Sequence, residues 1–518
     1  MKIQELFRNH FDNNILRKPI IIDKPGLYTI SDNIEIEFNP PYPSYQEIQD
    51  LPSLRYGYFA GIIIVGENIT IDMKGFMIKM SSKYALQQRF FSIFELTNSP
   101  FPFQDGLPLS ITKEQWKTSS NITIKNGNIG RSSHTGIHGN NNTNINLYSL
   151  NIFDFEVGGI MMNGAMDLNI HCCDIGPNFK NLWVNAKLSA AQQLLHFLEN
   201  VIPQKTPHSQ NVLNLQKEIQ KTIFATSLNE VPIIFRNEKL VSDGTVYGIS
   251  LHKSGVAIGG HSLPNENTTN TIVSKSCSIK NITIHDLKGD VDEKTSYVAK
   301  SNGKVLRDVA GQIIDLEYLL KTNKIDPLMK VQMESSQWVK NYPLVKTTFF
   351  VPNEIIEWCL NESDDLNVLQ DLINALLKPK MGRDIMIHIN KGVIGLRLDS
   401  LKCVTMESIT LTNIENIALH QIDNTQHLIS AMVEDNLKEY AGNDTLAITF
   451  SNVNHAKIEK IKIENVLSNA GTAYGILIMN GSQNICSQNN TINLSEKNKK
   501  NCGILVQDSC KNINFSLS

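Results

Sequence analysis

His252, Lys253, Arg397 and Asp399 are the side chains of this chain best able to do chemistry together. They sit in or directly after two short glycine-led segments, Gly248-Ile249-Ser250-Leu251 and Gly395-Leu396-Arg397-Leu398. In such a segment the first and third places after glycine are apolar, so the second and fourth face the opposite way. Ser250 and His252 thus share outward columns with Arg397 and Asp399, and Asn163, four places after Gly159, joins them. If the segments stack, neighbours lie one strand spacing apart, about 4.8 Å. His252 is then a candidate base, with Arg397 or Lys253 stabilising the enolate left by proton abstraction, which is lyase chemistry. Asn163 and Ser250 are candidate substrate-binding residues. A hydrolase working through an acid pair needs two carboxylates about 5 to 9.5 Å apart. Asp399 supplies one, and the second would have to come from Asp243 or an inserted segment. The competing reading is a solvated strand face carrying an Arg–Asp pair.

Other titratable residues point to structure. Asp72 and Asp174 stand in DMKG and DIGP contexts and read as turn residues. His134, His138 and His171 come from successive repeats but from different strands or loops. The eight cysteines include no CxxC pair and no zinc-like His/Cys spacing, so reduced thiols, no metal and no cofactor are expected.

The elements that must position these residues repeat along the chain. The glycine-led unit recurs as Gly61-Ile62-Ile63-Ile64, Gly136-Ile137-His138, Gly159-Ile160-Met161-Met162 and Gly475-Ile476-Leu477-Ile478, and again at Gly503. Its period-two alternation is that of a strand with one face buried. A second unit follows it, as in VTMESITLTNI at 404–414 and SIKNITIHDL at 278–287, and aligns Asp154, Asp286, Asn413 and Asn465 in one column at a bend. Such residues tolerate turn conformations and can bond the backbone of the next coil. The repeat is 23 residues from Gly136 to Gly159 and 28 from Gly475 to Gly503. That length suits a coil of three short strands. A leucine-rich repeat has a similar period, but the leucine frame is missing and no helix fits inside the shorter coil. The fold predicted is all-β, a right-handed parallel β-helix over 21–518, with residues 1–20 as a helical cap.

Insertions break the repeat at 39–57, 99–119, 177–243, 290–385 and 423–441. Those at 177–243 and 290–385 carry helical periodicity, as in LNLQKEIQKTIF and LNVLQDLINALL. All but 99–119 precede a glycine-led strand, so they leave the solenoid at one corner and could wall a groove. In the last coils Leu477, Met479 and Leu505 fall in the outward columns, an apolar stripe that suits homo-oligomer formation or burial under the C-terminal tail.

The balance of 48 Lys+Arg against 51 Asp+Glu, with no long basic run, gives no footprint for nucleic acid. No segment reaches the roughly 18 apolar residues of a membrane span. The N-terminus shows no signal-like apolar stretch, which leaves a cytoplasmic, virion-associated or leaderless-export location as the readings.

PGLYTISDNIEI at 25–36 leading to GENITIDMKGFMIKM at 66–80, together with the repeats, resembles the pectin-lyase-like superfamily. The resemblance implies the β-helix and, for many members, a polysaccharide as partner, bound or cleaved; other members are inert shafts and tail structures. Two expectations follow: a β-helix that binds or cleaves a glycan along an outer groove, or a non-catalytic structural or attachment protein.

Overall fold

The computed structural model describes residues 1–178, except 42, 45–46, 48–49, 52–53, 55–56, 89–90 and 101–114, then 246–252, 256–257, 261–262, 274–289, 305–307, 313–315, 393–416 and 444–518, less 470, 499 and 518. Lys253, residues 179–243, nearly all of 290–385, and 423–441 lie outside the described residues.

Glycine-led segments stack as a ten-stranded sheet that includes Thr135–Asn140, Gly158–Asn163, Val246–His252, Val393–Asp399, Thr445–Ser451 and Thr472–Met479. Every pairing along it is parallel. Ile137, Ile160, Ile249, Leu396, Ile448, Ile476 and Ile504 are successive register partners, so the inserted segments do not shift the stack. The second repeat unit builds a fifteen-stranded sheet from long strands such as Ser120–Ile129, Thr143–Ile152, Ser274–Gly289, Leu401–Asn416 and Asn454–Ser468. Parallel strands joined by crossovers that wind to the right make the chain a right-handed parallel β-helix.

Bent strands need residues that accept positive φ. These fall in columns: Asn121, Asn144 and Asp167 at one corner; Asn126, Ser149, Cys172 and Asn281 at the next; Asp154, Asp286, Asn413 and Asn465 at a third. Most such residues are Asn or Asp, whose short polar side chains make the left-handed region least costly. The third column is the one the alignment predicts. Its bonds run between side chains rather than to backbone, Asn413 Nδ2 donating to Asp286 Oδ1 at 2.9 Å and Asn465 Nδ2 to Asn413 Oδ1 at 2.8 Å.

The leading glycines have a packing cause. A Cβ on Gly136, Gly159, Gly248 or Gly395 would meet the carbonyl oxygen of the next coil at 2.6–2.8 Å. Inside, one continuous core of mainly Ile and Leu runs through the solenoid.

The N-terminal segment is mixed rather than one helix. It comprises a single turn at Ile3–Leu6, a 3-10 turn at Arg8–His10 and a hairpin of Phe11–Asp12 with Ile15–Leu16. Ile3 and Leu16 are fully buried in the core. The 99–119 excursion begins and ends on an antiparallel bridge between Thr97 and Thr118.

The outward columns of the ten-stranded sheet depart from expectation, because they are not solvated. Met161, Ser250, Arg397, Thr449, Leu477 and Met479 are all buried. Val157, Met161, Tyr247, Ile394, Leu446, Leu477 and Met479 form a second apolar cluster on that outer face. Of the C-terminal stripe, read either as a subunit contact or as buried, Leu477 and Met479 are buried in this cluster and Leu505 is exposed. Among the described residues no helix is long and apolar enough to cross a membrane.

Candidate functional site

Strand register carries Asn163, Ser250, His252, Arg397 and Asp399 onto one face. Asn163 pairs with His252, and Ser250 with Arg397, in adjacent strands of the ten-stranded sheet. His252 ends one strand and Asp399 the next, and His252 Nε2 lies 2.8 Å from Asp399 Oδ2. Arg397 Nη2 donates to the same oxygen at 3.0 Å, and Ser400 Oγ donates to Oδ1 at 2.9 Å. Arg397 also reaches Tyr247, with Nη1 donating to the phenol oxygen at 3.3 Å and the guanidinium 5.7 Å from the ring centre.

Burial is what separates this cluster from a surface ion pair. His252 and Arg397 are each 4% exposed and Ser250 is 2% exposed. Burial alone would push the Asp399 carboxyl up. The hydrogen bond and charge of His252, the charge of Arg397 and the Ser400 bond outweigh it and hold Asp399 well below the usual carboxylate range. The Asp399 carboxylate, bonded at Nε2, fixes the orientation of the His252 ring.

Asn163 belongs to a second network. Its Nδ2 donates to Asn140 Oδ1 at 2.8 Å and lies 3.4 Å from His138 Nε2. His138 Nδ1 lies 2.7 Å from Glu95 Oε2, and Thr97 Oγ1 donates to Glu95 Oε1 at 2.6 Å. Glu95 is fully buried. The face thus holds two acid–histidine pairs whose histidines are two strands and two residues apart, roughly 12 Å. Sequence reasoning missed Glu95 because Ile93 pairs with the glycine column of other coils, so its strand Ser92–Glu95 lacks the motif. Tyr247 precedes Gly248 and lay outside the two columns considered. His138 stands in the outward column two places after Gly136, as its spacing implies, and His171 lies on the other sheet, 3.1 Å from Ser278 Oγ. Among the described residues no group of three or more His, Cys, Asp or Glu is arranged to hold a metal ion.

No family model and no curated protein matches the chain. Solved structures do. ORF18 of Geobacillus virus E2 aligns over 97% of this chain and 52% of its own length, with 7% identity and a TM-score of 0.35. The Streptococcus pneumoniae surface protein and adhesin PfbA aligns over 95% of this chain and 69% of its own, with 9% identity and a TM-score of 0.27. The periplasmic alginate epimerase AlgG aligns over 100% and 83%, with 6% identity and a TM-score of 0.27. The chain spans about half the length of the phage protein it matches. Its own topology defines its class, a right-handed parallel β-helix with a desolvated His–Asp–Arg cluster on the outer face of one sheet.

Proposed function

We propose that this β-helix engages a polysaccharide on the outer face of the ten-stranded sheet. In this reading His252, held by Asp399, is the proton acceptor, and Arg397 stabilises the negative charge that develops on the substrate. The observation that carries the proposal is the shared Asp399 Oδ2, which takes bonds from both His252 and Arg397 in a nearly dry setting. Strongly perturbed ionisable groups of this kind gather where chemistry is done. A single carboxylate beside a cation favours elimination over acid-pair hydrolysis, and Glu95 lies on a strand four register steps from that of Asp399, about 19 Å away. Asn163 and Ser250 would contact the sugar.

The low exposure of the same residues favours a second reading, a non-catalytic attachment β-helix in which the network braces the outer face. Turnover of a polysaccharide panel by the wild type and by Arg397→Ala separates the two. Elimination predicts unsaturated products from the wild type and a loss of about a hundredfold or more in the variant, the size seen when one charge-stabilising donor is removed. Neither binding nor products from the wild type would end the catalytic reading.

A further inference from the structure

The long sheet carries a shallow, open groove of its own, away from Asp399, with a volume of about 630 Å³. It follows the corner where Asn126, Ser149, Cys172 and Asn281 take positive φ, and it reaches from Gly75 to Thr283 across five coils, about 19 Å. Both the volume and the length suit a short oligosaccharide.

Asn128, Asn151, Asp174 and Thr283 are successive register partners along it. The orientation of the amides is fixed from one end. Asn128 Nδ2 donates to the Gly75 carbonyl at 2.8 Å, so its Oδ1 is the acceptor for Asn151 Nδ2 at 3.2 Å. Asn151 is left with its Oδ1 toward the next coil, where Asp174 brings a carboxylate. Two acceptors at one-coil spacing cannot bond each other, so the side-chain ladder breaks at this step. His285 Nε2 holds Asp174 Oδ1 at 3.3 Å and is itself held by Asp286 at 2.8 Å, while the Asp174 side chain stays 54% exposed.

We propose that this junction binds a neutral oligosaccharide, whose paired hydroxyls donate to Asn151 Oδ1 and Asp174 and bridge the break. Ser149, Thr283 and the Asn281 amide, also on the groove wall, supply further partners for ring hydroxyls. A calcium ion is the poorer occupant, because it takes six to eight oxygens and this groove has one carboxylate, already engaged by histidine.

Cys172 lines the groove and is exposed, while Cys403 and Cys486 are exposed elsewhere and serve as internal references. The test is the rate of maleimide labelling at each, with cellohexaose, maltohexaose or mannohexaose present at millimolar concentration. At least one sugar should slow Cys172 and leave Cys403 and Cys486 unchanged. Asp174→Asn supplies an amide that can donate to Asn151 and continue the ladder, so it should keep or raise Tm while abolishing protection. Protection by none of the three sugars, equal slowing at all three cysteines, protection by calcium alone, or protection surviving in Asp174→Asn would each overturn the proposal. Labelling needs no turnover, so failure here and failure of the catalytic reading are separate results.

Discussion

Asn413 donates from Nδ2 to Oδ1 of Asp286 at 2.9 Å across 127 residues of sequence. The two occupy the same corner of adjacent coils, both at positive φ, and Asn465 extends the line by donating to Asn413. A ladder of this kind pins the register of strands whose side chains would all change face on a one-residue slip.

Asn413→Ala removes both ladder bonds and forces a Cβ residue without a polar side chain into the left-handed region. A loss of about 2 to 3 kcal/mol is expected, from roughly 1 kcal/mol per bond and 1 kcal/mol or so for the backbone. Asn413→Gly keeps the backbone comfortable and loses only the bonds, so its cost should be smaller. Thermal unfolding of the two variants checks the order; equal Tm values would mean the left-handed conformation contributes nothing.

Gly395 tests the packing cause of the glycine column. An added Cβ would meet the Ala447 carbonyl at 2.7 Å and also a methyl of Leu411, both in the tightly stacked interior. Gly395→Ala should cost about 1 to 3 kcal/mol through overpacking. Gly503, in the last coil, has nothing within 4 Å of the same atom, so Gly503→Ala should be nearly neutral. Urea midpoints of the pair measure the contrast.

The stacking was legible because it is forced locally: glycine where the next coil's carbonyl approaches, then an apolar residue at every second place. That pattern brought His252, Arg397 and Asp399 together correctly although 145 residues separate His252 from Arg397 in sequence. Alternation reports which face is apolar, however, and is silent on whether the opposite face is also covered. Met161, Leu477 and Met479 in the outward column were the available signal, and they belong to a buried cluster. Glu95 was hidden by Ile93 in the glycine column. Asp174 read as a turn residue because its sequence context shows the bend and not the amides stacked beside it. The frequency of asparagine was visible as a count; its cause, the left-handed corners, belongs to the coil geometry.

Thiol chemistry should sort by depth. Burial pushes the Cys277 thiol up to about 12, and burial with the nearby Cys172 pushes Cys173 to about 12 against two backbone bonds. Since the thiolate is the reactive form, both should resist alkylation in the native protein while Cys172, Cys403 and Cys486 react. Peptide mass mapping before and after denaturation reads this directly, and early labelling of Cys277 would contradict the interior position of its side chain.

Asp399 gives the pH dependence its sign. In the folded protein burial raises its pKa, but His252, Arg397 and Ser400 lower it further, and the net position is below the ordinary carboxylate range. A depressed carboxylate contributes stability that is complete above the unfolded value, near 4, and fades as pH falls through the lower folded value. Asp399→Asn removes that contribution and leaves the Arg397 guanidinium, 4% exposed, without its carboxylate, so a deficit of about 3 to 5 kcal/mol is expected at pH 7. As the pH is lowered below about 4 the wild type loses the same interaction, and the gap between the two proteins should narrow. Urea unfolding of both proteins from pH 7 down to pH 3 measures the gap. A difference that stays constant over that range would mean that Asp399 carries no charge-dependent stability, and that its bonds to His252 and Arg397 are incidental to the fold.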